Sequence, residues 1–254
     1  MNRREFIAGA ASFAIGSTLQ QYDSTTLRTG AGQKSSPEQL ETQSFPSAVA
    51  GVSLVDSKVA RAATQLSREV SPPYLFNHAI RTFLFGSLIG QRLRQKFDKE
   101  VLYLACILHD LGLTERFEGE LPFEIQGAEA AKAFLEKTAY VKDKIGVVWD
   151  GIAMHASLIG HYKQPEIRLV GEGAGADVVG PDYSQIDKAD VDEILGVFPR
   201  LEFKNLFLKT CAGVVRRHPG GATRSFMRDI GERNVPDFHP QNFCDLVAQA
   251  PFSE

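Results

Sequence analysis

Residues 101–108 form a run of apolar side chains that ends in a histidine–aspartate pair, His109-Asp110. A run of this kind is typical of a buried helix, and it constrains the pair at its end to lie close to the core. Burying such a pair costs several kcal/mol unless something compensates it. A bound cation would compensate both side chains at once, so the sequence predicts a metal site here.

Two further residues can complete this site. His78 lies upstream on another helix-like stretch, and Asp177 lies downstream on a third. Two neutral imidazoles and two carboxylates suit a divalent transition metal, and ligands far apart in sequence can converge inside a helical bundle. We therefore predict one divalent metal on His78, His109, Asp110 and Asp177, with water in the remaining positions. The alternative is that these are hydrogen-bonded core residues.

The spaced pattern of these ligands resembles the HD-domain superfamily of metal-dependent hydrolases. The flanking segments are similar to its cyanamide-hydratase-like branch, and the likeness covers roughly residues 55–235. It rests on residues 77–86, 109–114, 123–128, 152–155 and the segment around Asp177. The resemblance implies a helical fold, a metal (zinc first, with iron or manganese as alternatives) and a small-molecule substrate.

A cation held by these ligands lowers the pKa of its bound water and makes hydroxide available at neutral pH. The resemblance then leaves two reactions open. Hydroxide could add to the carbon of a nitrile-like group, as in cyanamide hydratase, or attack phosphorus, as in many other HD-domain enzymes. A protein that binds the metal without turnover is a third possibility.

Phosphoester chemistry needs cationic groups that neutralise the developing charge. Arg81, one turn after His78, could face the pocket as a catalytic residue, or it could be an ion-paired side chain. Lys163 and Arg168 are near the last ligand in sequence, and no glycine-rich phosphate loop is present. We favour hydration or hydrolysis of a small C–N compound over phosphohydrolysis.

Two further side chains could move protons for the metal-bound water. Glu124 is a candidate acid or base, although it could equally be a first-turn glutamate that complements a helix dipole. His155 is flanked by apolar residues and could line the pocket or belong to the core. With His161 it could also hold a second metal, which the sequence leaves open.

Composition and charge exclude several other classes. The chain has 254 residues, a net charge of −3 and scattered lysines and arginines, which argues against nucleic-acid binding. Its three cysteines have no metal-type spacing, and an odd number cannot form a closed disulfide framework.

The N-terminus predicts export. Arg3-Arg4 precedes a short apolar stretch, which has the layout of a twin-arginine signal and implies contact with that export machinery. The stretch is too short for a permanent membrane span. Residues 1–47 are predicted to be this signal and a flexible tether, and the protein is expected in the periplasm or outside the cell. Residues 48–254 are predicted to form the HD-type metal-binding domain.

Helical patterns dominate residues 48–254, and no strong alternating pattern of strands is present. We predict an all-α domain, a single helical bundle. Its predicted helices cover residues 57–70, a segment that carries His78 and ends near 93, and 99–111, 123–137, 142–158, 165–179, 187–197, 203–218 and 221–230.

Overall fold

The computed structural model describes residues 45–138, 140–180 and 186–252. Residues from Phe45 onward form one unit. The export signal falls outside the described residues, as does the tether up to residue 44, and the domain boundary at residue 47 stays a prediction. Within the described ranges, no helix is both long enough and apolar enough to cross a membrane.

Helices account for most of the described chain, which confirms the all-α prediction. Their bounds are α1 (Lys58–Val70), α2 (Pro73–Arg92), α3 (Lys99–Leu108), α4 (Phe123–Lys137), α5 (Lys142–Met154), α6 (Pro165–Val178), α7 (Lys188–Val197), α8 (Phe203–Arg217), α9 (Phe226–Asn234) and α10 (Phe243–Ala248). Short 3₁₀ turns cover Leu111–Leu113, Leu158–Tyr162 and Pro219–Ala222.

Two short strands precede α1. β1 (Ala48–Val49) and β2 (Val52–Ser53) pair antiparallel across a tight turn. Ala50 and Gly51 at this turn have positive φ angles of 49° and 70°. Two-residue hairpin turns favour this left-handed backbone. The sequence pattern did not predict this hairpin, since two-residue strands carry no measurable alternation.

Local signals fix where the helices begin. The Asp98 carboxylate accepts hydrogen bonds from the backbone N–H groups of Glu100 and Val101 and so caps α3. Pro73 occupies the first turn of α2, where its missing N–H costs nothing. Helix α3 ends at Leu108, three residues earlier than predicted, and its end presents His109-Asp110 at a bend.

Helices α2 and α6 pack backbone to backbone. A Cβ added to Gly173 would lie 2.2 Å from the Thr82 carbonyl oxygen, and one added to Gly86 would lie 2.6 Å from that of Leu169. Only glycine permits this approach. The contact brings the helix that carries His78 against the helix that carries Asp177.

The core has two apolar clusters. The larger joins the hairpin to helices α1–α7, and the smaller lies mainly between α8 and α9, with Leu75, Leu113 and Phe123 contributing from other elements. His78 contacts aromatic rings of the smaller cluster. The predicted metal site is therefore next to α8.

Candidate metal centre

Three of the four predicted ligands meet at one point. His78 comes from the middle of α2, and His109 and Asp110 come from the end of α3. The Nε2 atoms of the two histidines are 3.2 Å apart, and Asp110 Oδ2 lies 3.2 Å from His109 Nε2 and 3.6 Å from His78 Nε2. All three side chains are buried. Within the described ranges, they form the one group of histidines, cysteines or acids with metal-ligand spacing.

Hydrogen bonds at the far side of each ring set its orientation. His109 Nδ1 lies 2.7 Å from the Cys106 carbonyl oxygen, and His78 Nδ1 lies 2.7 Å from Asp177 Oδ2. Because both partners are acceptors, each Nδ1 carries a proton, and in the neutral ring each Nε2 keeps its lone pair. Two lone pairs therefore converge beside a carboxylate.

This convergence fits a cation. Asp110 Oδ2 is buried and has no hydrogen-bond partner among the described residues. Burial raises the pKa of Asp110, but the neighbouring His109 and then His78 outweigh it, so the pKa lies well below its ordinary value. An ionised buried oxygen beside two imidazole nitrogens is a donor set that divalent transition metals accept.

Asp177 lies behind His78 and outside this group. Its Oδ2 contacts His78 Nδ1, and its two oxygens accept bonds from Arg81 and Arg200 at 2.7–2.9 Å. Burial raises the pKa of Asp177, but the bonds from His78 and Arg81 outweigh it and keep the carboxylate ionised. In this geometry Asp177 orients a ligand imidazole. Its predicted role as a direct ligand stays a prediction.

Arg81 is fully buried, and its guanidinium is directed to protein groups. Its Nε and Nη2 bind the Asp177 carboxylate, and its Nη1 donates to the carbonyl oxygens of Phe198 and Pro199 at 3.1 and 3.2 Å. These contacts match the ion-paired alternative raised for Arg81. Its catalytic role stays a prediction, and the contacts give it no support.

His155 lies beside the ligand group, at the end of α5. Its ring centre is 4.8 Å from that of His109, and its Nε2 is 4.0 Å from Asp110 Oδ1. His155 Nδ1 donates to the Ile152 carbonyl oxygen at 2.6 Å, so its Nε2 lone pair faces the cluster. Burial, and then the neighbouring His109, lowers the pKa of His155 to about 4. A neutral imidazole here can accept a proton.

Glu124 occupies the first turn of α4 and is buried, unlike the exposed glutamate of the helix-dipole alternative. Its Oε2 has no hydrogen-bond partner within the described part of the chain. Burial raises the pKa of Glu124 to about 7, and the charge of Asp110 adds to this. Such a carboxyl group can donate and accept protons near neutral pH.

Comparison with known proteins agrees with this site. The HD domain family model matches residues 75–180, a range that contains the four predicted ligands. Residues 75–180 of this chain therefore form an HD domain. The match places it in the superfamily of metal-dependent hydrolases, with a His-His-Asp group positioned for a metal.

The HD-domain protein also has curated relatives in the cyanamide-hydratase-like branch. Cyanamide hydratases DDI2 and DDI3 of Saccharomyces cerevisiae are each 28% identical to it over 190 residues, which is 71% of this chain and 83% of theirs. An uncharacterized protein of Clostridium beijerinckii is 32% identical over 82 residues, 31% of this chain and 52% of its own.

His161 of the HD-domain protein lies apart from the ligand group. Its side chain is 41% exposed, and its Nδ1 is 3.6 Å from the Glu172 carboxylate. His161 lies in the 3₁₀ turn Leu158–Tyr162, whereas His155 lies at the end of α5. A second metal on His155 and His161 stays a prediction.

A wall of phenylalanine rings lies beside the ligand group, and sequence reasoning missed it. Its members are Phe123, Phe203, Phe207 and Phe226. The Phe203 ring centre is 4.8 Å from that of His78, and the Phe123 ring centre is 5.5 Å from that of His155. The sequence predicted residues 203–218 as a packing helix, which is correct for the helix. It gave no sign that two of its rings contact the site.

Arg200 was also missed. It lies in the turn between α7 and α8 and reaches Asp177 from 23 positions away. No sequence motif connects a single arginine after Phe198-Pro199 with Asp177, which lies 23 positions earlier. The contact depends on how the segment before α8 packs against the end of α6.

Proposed function

We propose that this HD-domain protein is a metal-dependent hydratase that adds water across the carbon–nitrogen bond of a small, uncharged nitrile-like molecule such as cyanamide. The observation that carries the proposal is the enclosure of the His78–His109–Asp110 group. All three side chains are buried, and the four phenylalanines form an apolar wall beside them. A site of this kind excludes large or charged molecules more strongly than small neutral ones.

The positions of the arginines favour this class over phosphoester hydrolysis. Arg81 and Arg200 both bind Asp177, and Arg168 binds Glu172. Two of the three cationic side chains that sequence reasoning offered for phosphate, Arg81 and Arg168, are therefore engaged with carboxylates. The similarity to the yeast cyanamide hydratases supports the same substrate class.

The protein's own groups have separable tasks in this reaction. A bound divalent cation would supply an acidified water and polarise the nitrile. His78, His109 and Asp110 would hold the cation. Glu124 Oε2 accepts a proton from the water as the water oxygen bonds to the nitrile carbon, and the same carboxyl group returns that proton to the nitrile nitrogen. The imidic acid formed in this way becomes the amide, urea in the case of cyanamide, when its hydroxyl proton moves to the nitrogen. The phenylalanine wall keeps bulk water away and binds the uncharged substrate.

A substrate panel tests the proposal. Purified full-length protein, loaded in turn with zinc, iron or manganese, is assayed on cyanamide, small nitriles, an isocyanide and nucleoside monophosphates. We expect the hydration product, urea in the case of cyanamide, and no phosphate. The His109→Ala/Asp110→Ala variant is the blank.

Phosphate release without hydration would contradict the proposed substrate class. Stoichiometric metal together with inactivity on the whole panel would instead favour a binding protein that has lost turnover.

A further inference from the structure

The Arg200 side chain contacts both the backbone and the side chain of Asp177. Its Nη1 donates to the Asp177 carbonyl oxygen and to Oδ1, each at 2.7 Å. The same guanidinium lies 4.8 Å from the ring centre of Phe203, and that ring also contacts His78. Arg200 therefore contacts two residues, Asp177 and Phe203, that each contact the predicted ligand His78.

The Asp177 carboxylate has little freedom in this arrangement. Oδ2 is shared between His78 Nδ1 and Arg81 Nη2, and Oδ1 between Arg81 Nε and Arg200 Nη1. Arg81, on α2, donates hydrogen bonds to both carboxylate oxygens. Arg200 adds the bond to the backbone, which fixes the carboxylate relative to the end of α6.

The hydrogen bond between His78 Nδ1 and the Asp177 carboxylate determines which ring nitrogen His78 can offer to a metal. While the carboxylate accepts the Nδ1 proton, the Nε2 lone pair points at His109 Nε2, 3.2 Å away. Outer partners that fix a ligand imidazole in this way are typically worth 10- to 100-fold in metal affinity.

We propose that Arg200 is a positioning residue of the metal centre: it fixes Asp177 so that His78 presents Nε2 to the cation. The proposal rests on the metal centre of the proposed function and is independent of the substrate. Arg200 lies outside the residues matched by the HD family model, so this part of the centre is supplied by the following segment.

The test measures metal binding in the full chain. Metal-free protein is titrated with Co²⁺ in competition with a chelator, and the visible absorption of the bound Co²⁺ is recorded. The variants are Arg200→Leu, Arg200→Gln and Arg200→Lys. The matched control is Arg228→Leu, which removes a partly exposed arginine paired with Glu232 on α9. Circular dichroism checks each fold.

We expect Arg200→Leu and Arg200→Gln to weaken Co²⁺ binding about 10-fold and to shift the visible bands, the low end of the range for a direct outer partner, because Arg81 still binds Asp177. Arg200→Lys should recover most of the affinity, since an ammonium can still donate to both Asp177 oxygens. Arg228→Leu should match the wild type. If Arg200→Leu does not fold, the Gln and Lys variants decide.

Wild-type affinity and unchanged bands in the folded Leu or Gln variant would overturn the proposal, as would an equal loss in the Arg228→Leu control. Failure of the wild-type protein to bind Co²⁺ would instead overturn the metal centre itself. The two failures are therefore distinguishable.

Discussion

Asp110 is a buried carboxylate whose interactions are incomplete within the protein. It is 5% exposed, its Oδ2 lacks a hydrogen-bond partner among the described residues, and two imidazole lone pairs point towards it. A buried carboxylate oxygen without a hydrogen bond is costly to desolvate. A cation held by His78, His109 and Asp110 would supply the missing interaction.

Removing this pair should remove the metal. We expect wild-type protein to carry one divalent ion per chain, because three donors converge on one point, and the His109→Ala/Asp110→Ala variant to carry close to none. Elemental analysis of both proteins measures this. His239→Ala, at an exposed histidine, is the control and should retain the ion. Equal metal content in the double variant and the wild type would contradict the predicted site.

Glu124 should matter for turnover without holding the metal. Glu124→Gln removes a group that exchanges protons near pH 7, and general acid–base catalysis is typically worth about 100- to 10,000-fold. We expect a loss in kcat of that order with metal content unchanged. Glu136→Gln, at an exposed position of the same helix, is the control. Loss of metal from Glu124→Gln would show a ligand or orienting role instead.

Residue identity predicted part of this centre and could not predict the rest. His78, His109 and Asp110 stand out because polar side chains in apolar helices are costly to bury unless an interaction compensates them. The orientation of Asp177 depends on Arg81 and Arg200, and the latter has no local sequence signal. Which of several acceptors a carboxylate finds is decided by packing, which a single sequence does not contain.

At the scale of elements, the close crossing of α2 and α6 sets the distance between His78 and Asp177. Gly173 and Gly86 allow each backbone to contact the other helix directly. Interior glycines cost helix stability, by about 1 kcal/mol relative to alanine. That cost is offset here by the position it gives to the two site residues.

Two alanine substitutions on α6 should therefore act in opposite directions. Gly173→Ala places a methyl group against the Thr82 carbonyl oxygen, and we expect a loss of roughly 1–3 kcal/mol in the free energy of unfolding. Gly175→Ala meets no described atom within 4 Å, so improved helix propensity should stabilise it by up to about 1 kcal/mol. Urea unfolding measures both. A Gly173→Ala protein as stable as Gly175→Ala would contradict the close packing.

Most helix boundaries follow from caps and apolar spacing, and the errors have local causes. The last predicted helix, residues 221–230, is displaced to Phe226–Asn234. The glycines after Pro219 form a 3₁₀ turn, and Ser225 supplies the cap by accepting a bond from the Met227 N–H. Both signals were in the sequence, but a turn and a helix start share the same residue types.

The phenylalanine wall, three of whose four rings lie on α8 and α9, should control substrate size. Phe207 stacks on Phe203 with ring centres 5.0 Å apart, and Phe207→Leu removes aromatic area while keeping an apolar side chain. We expect kcat/KM for a bulkier nitrile to rise roughly 10-fold relative to cyanamide, since small changes in an apolar pocket are worth about 1–3 kcal/mol. Leu208→Ala, at an exposed position of the same helix, is the control. An unchanged ratio would remove Phe207 from the substrate pocket.

At the scale of the whole molecule, the chain joins a metal-binding helical unit to an N-terminal segment outside the described residues. Export through the twin-arginine route stays a prediction that rests on Arg3-Arg4 and the apolar stretch after them. A route that carries folded proteins would suit a protein that acquires its metal before it leaves the cytoplasm.

Changing Arg3-Arg4 to Lys-Lys should keep the folded protein in the cytoplasm, because that export route depends on the paired arginines. Fractionation of cells that express each form measures the location, and circular dichroism of the purified protein checks the fold. The same double change at Arg224 and Arg228 should leave the location unaltered. Unchanged delivery of the Lys-Lys form would show that another route is used.

Three of the four wall phenylalanines lie after residue 200, whereas Phe123 and the four predicted ligands lie between residues 78 and 177. Most of the surface proposed to select the substrate is therefore carried by a later stretch of the chain than the predicted ligands. After a gene duplication, substitutions in the later stretch could change the accepted substrate while the predicted ligands stayed unchanged. The two resulting proteins would then share one reaction but act on different molecules. For engineering, residues 201–235 are the segment to exchange between relatives when a different substrate is wanted, with Arg200 kept because it holds Asp177 behind His78.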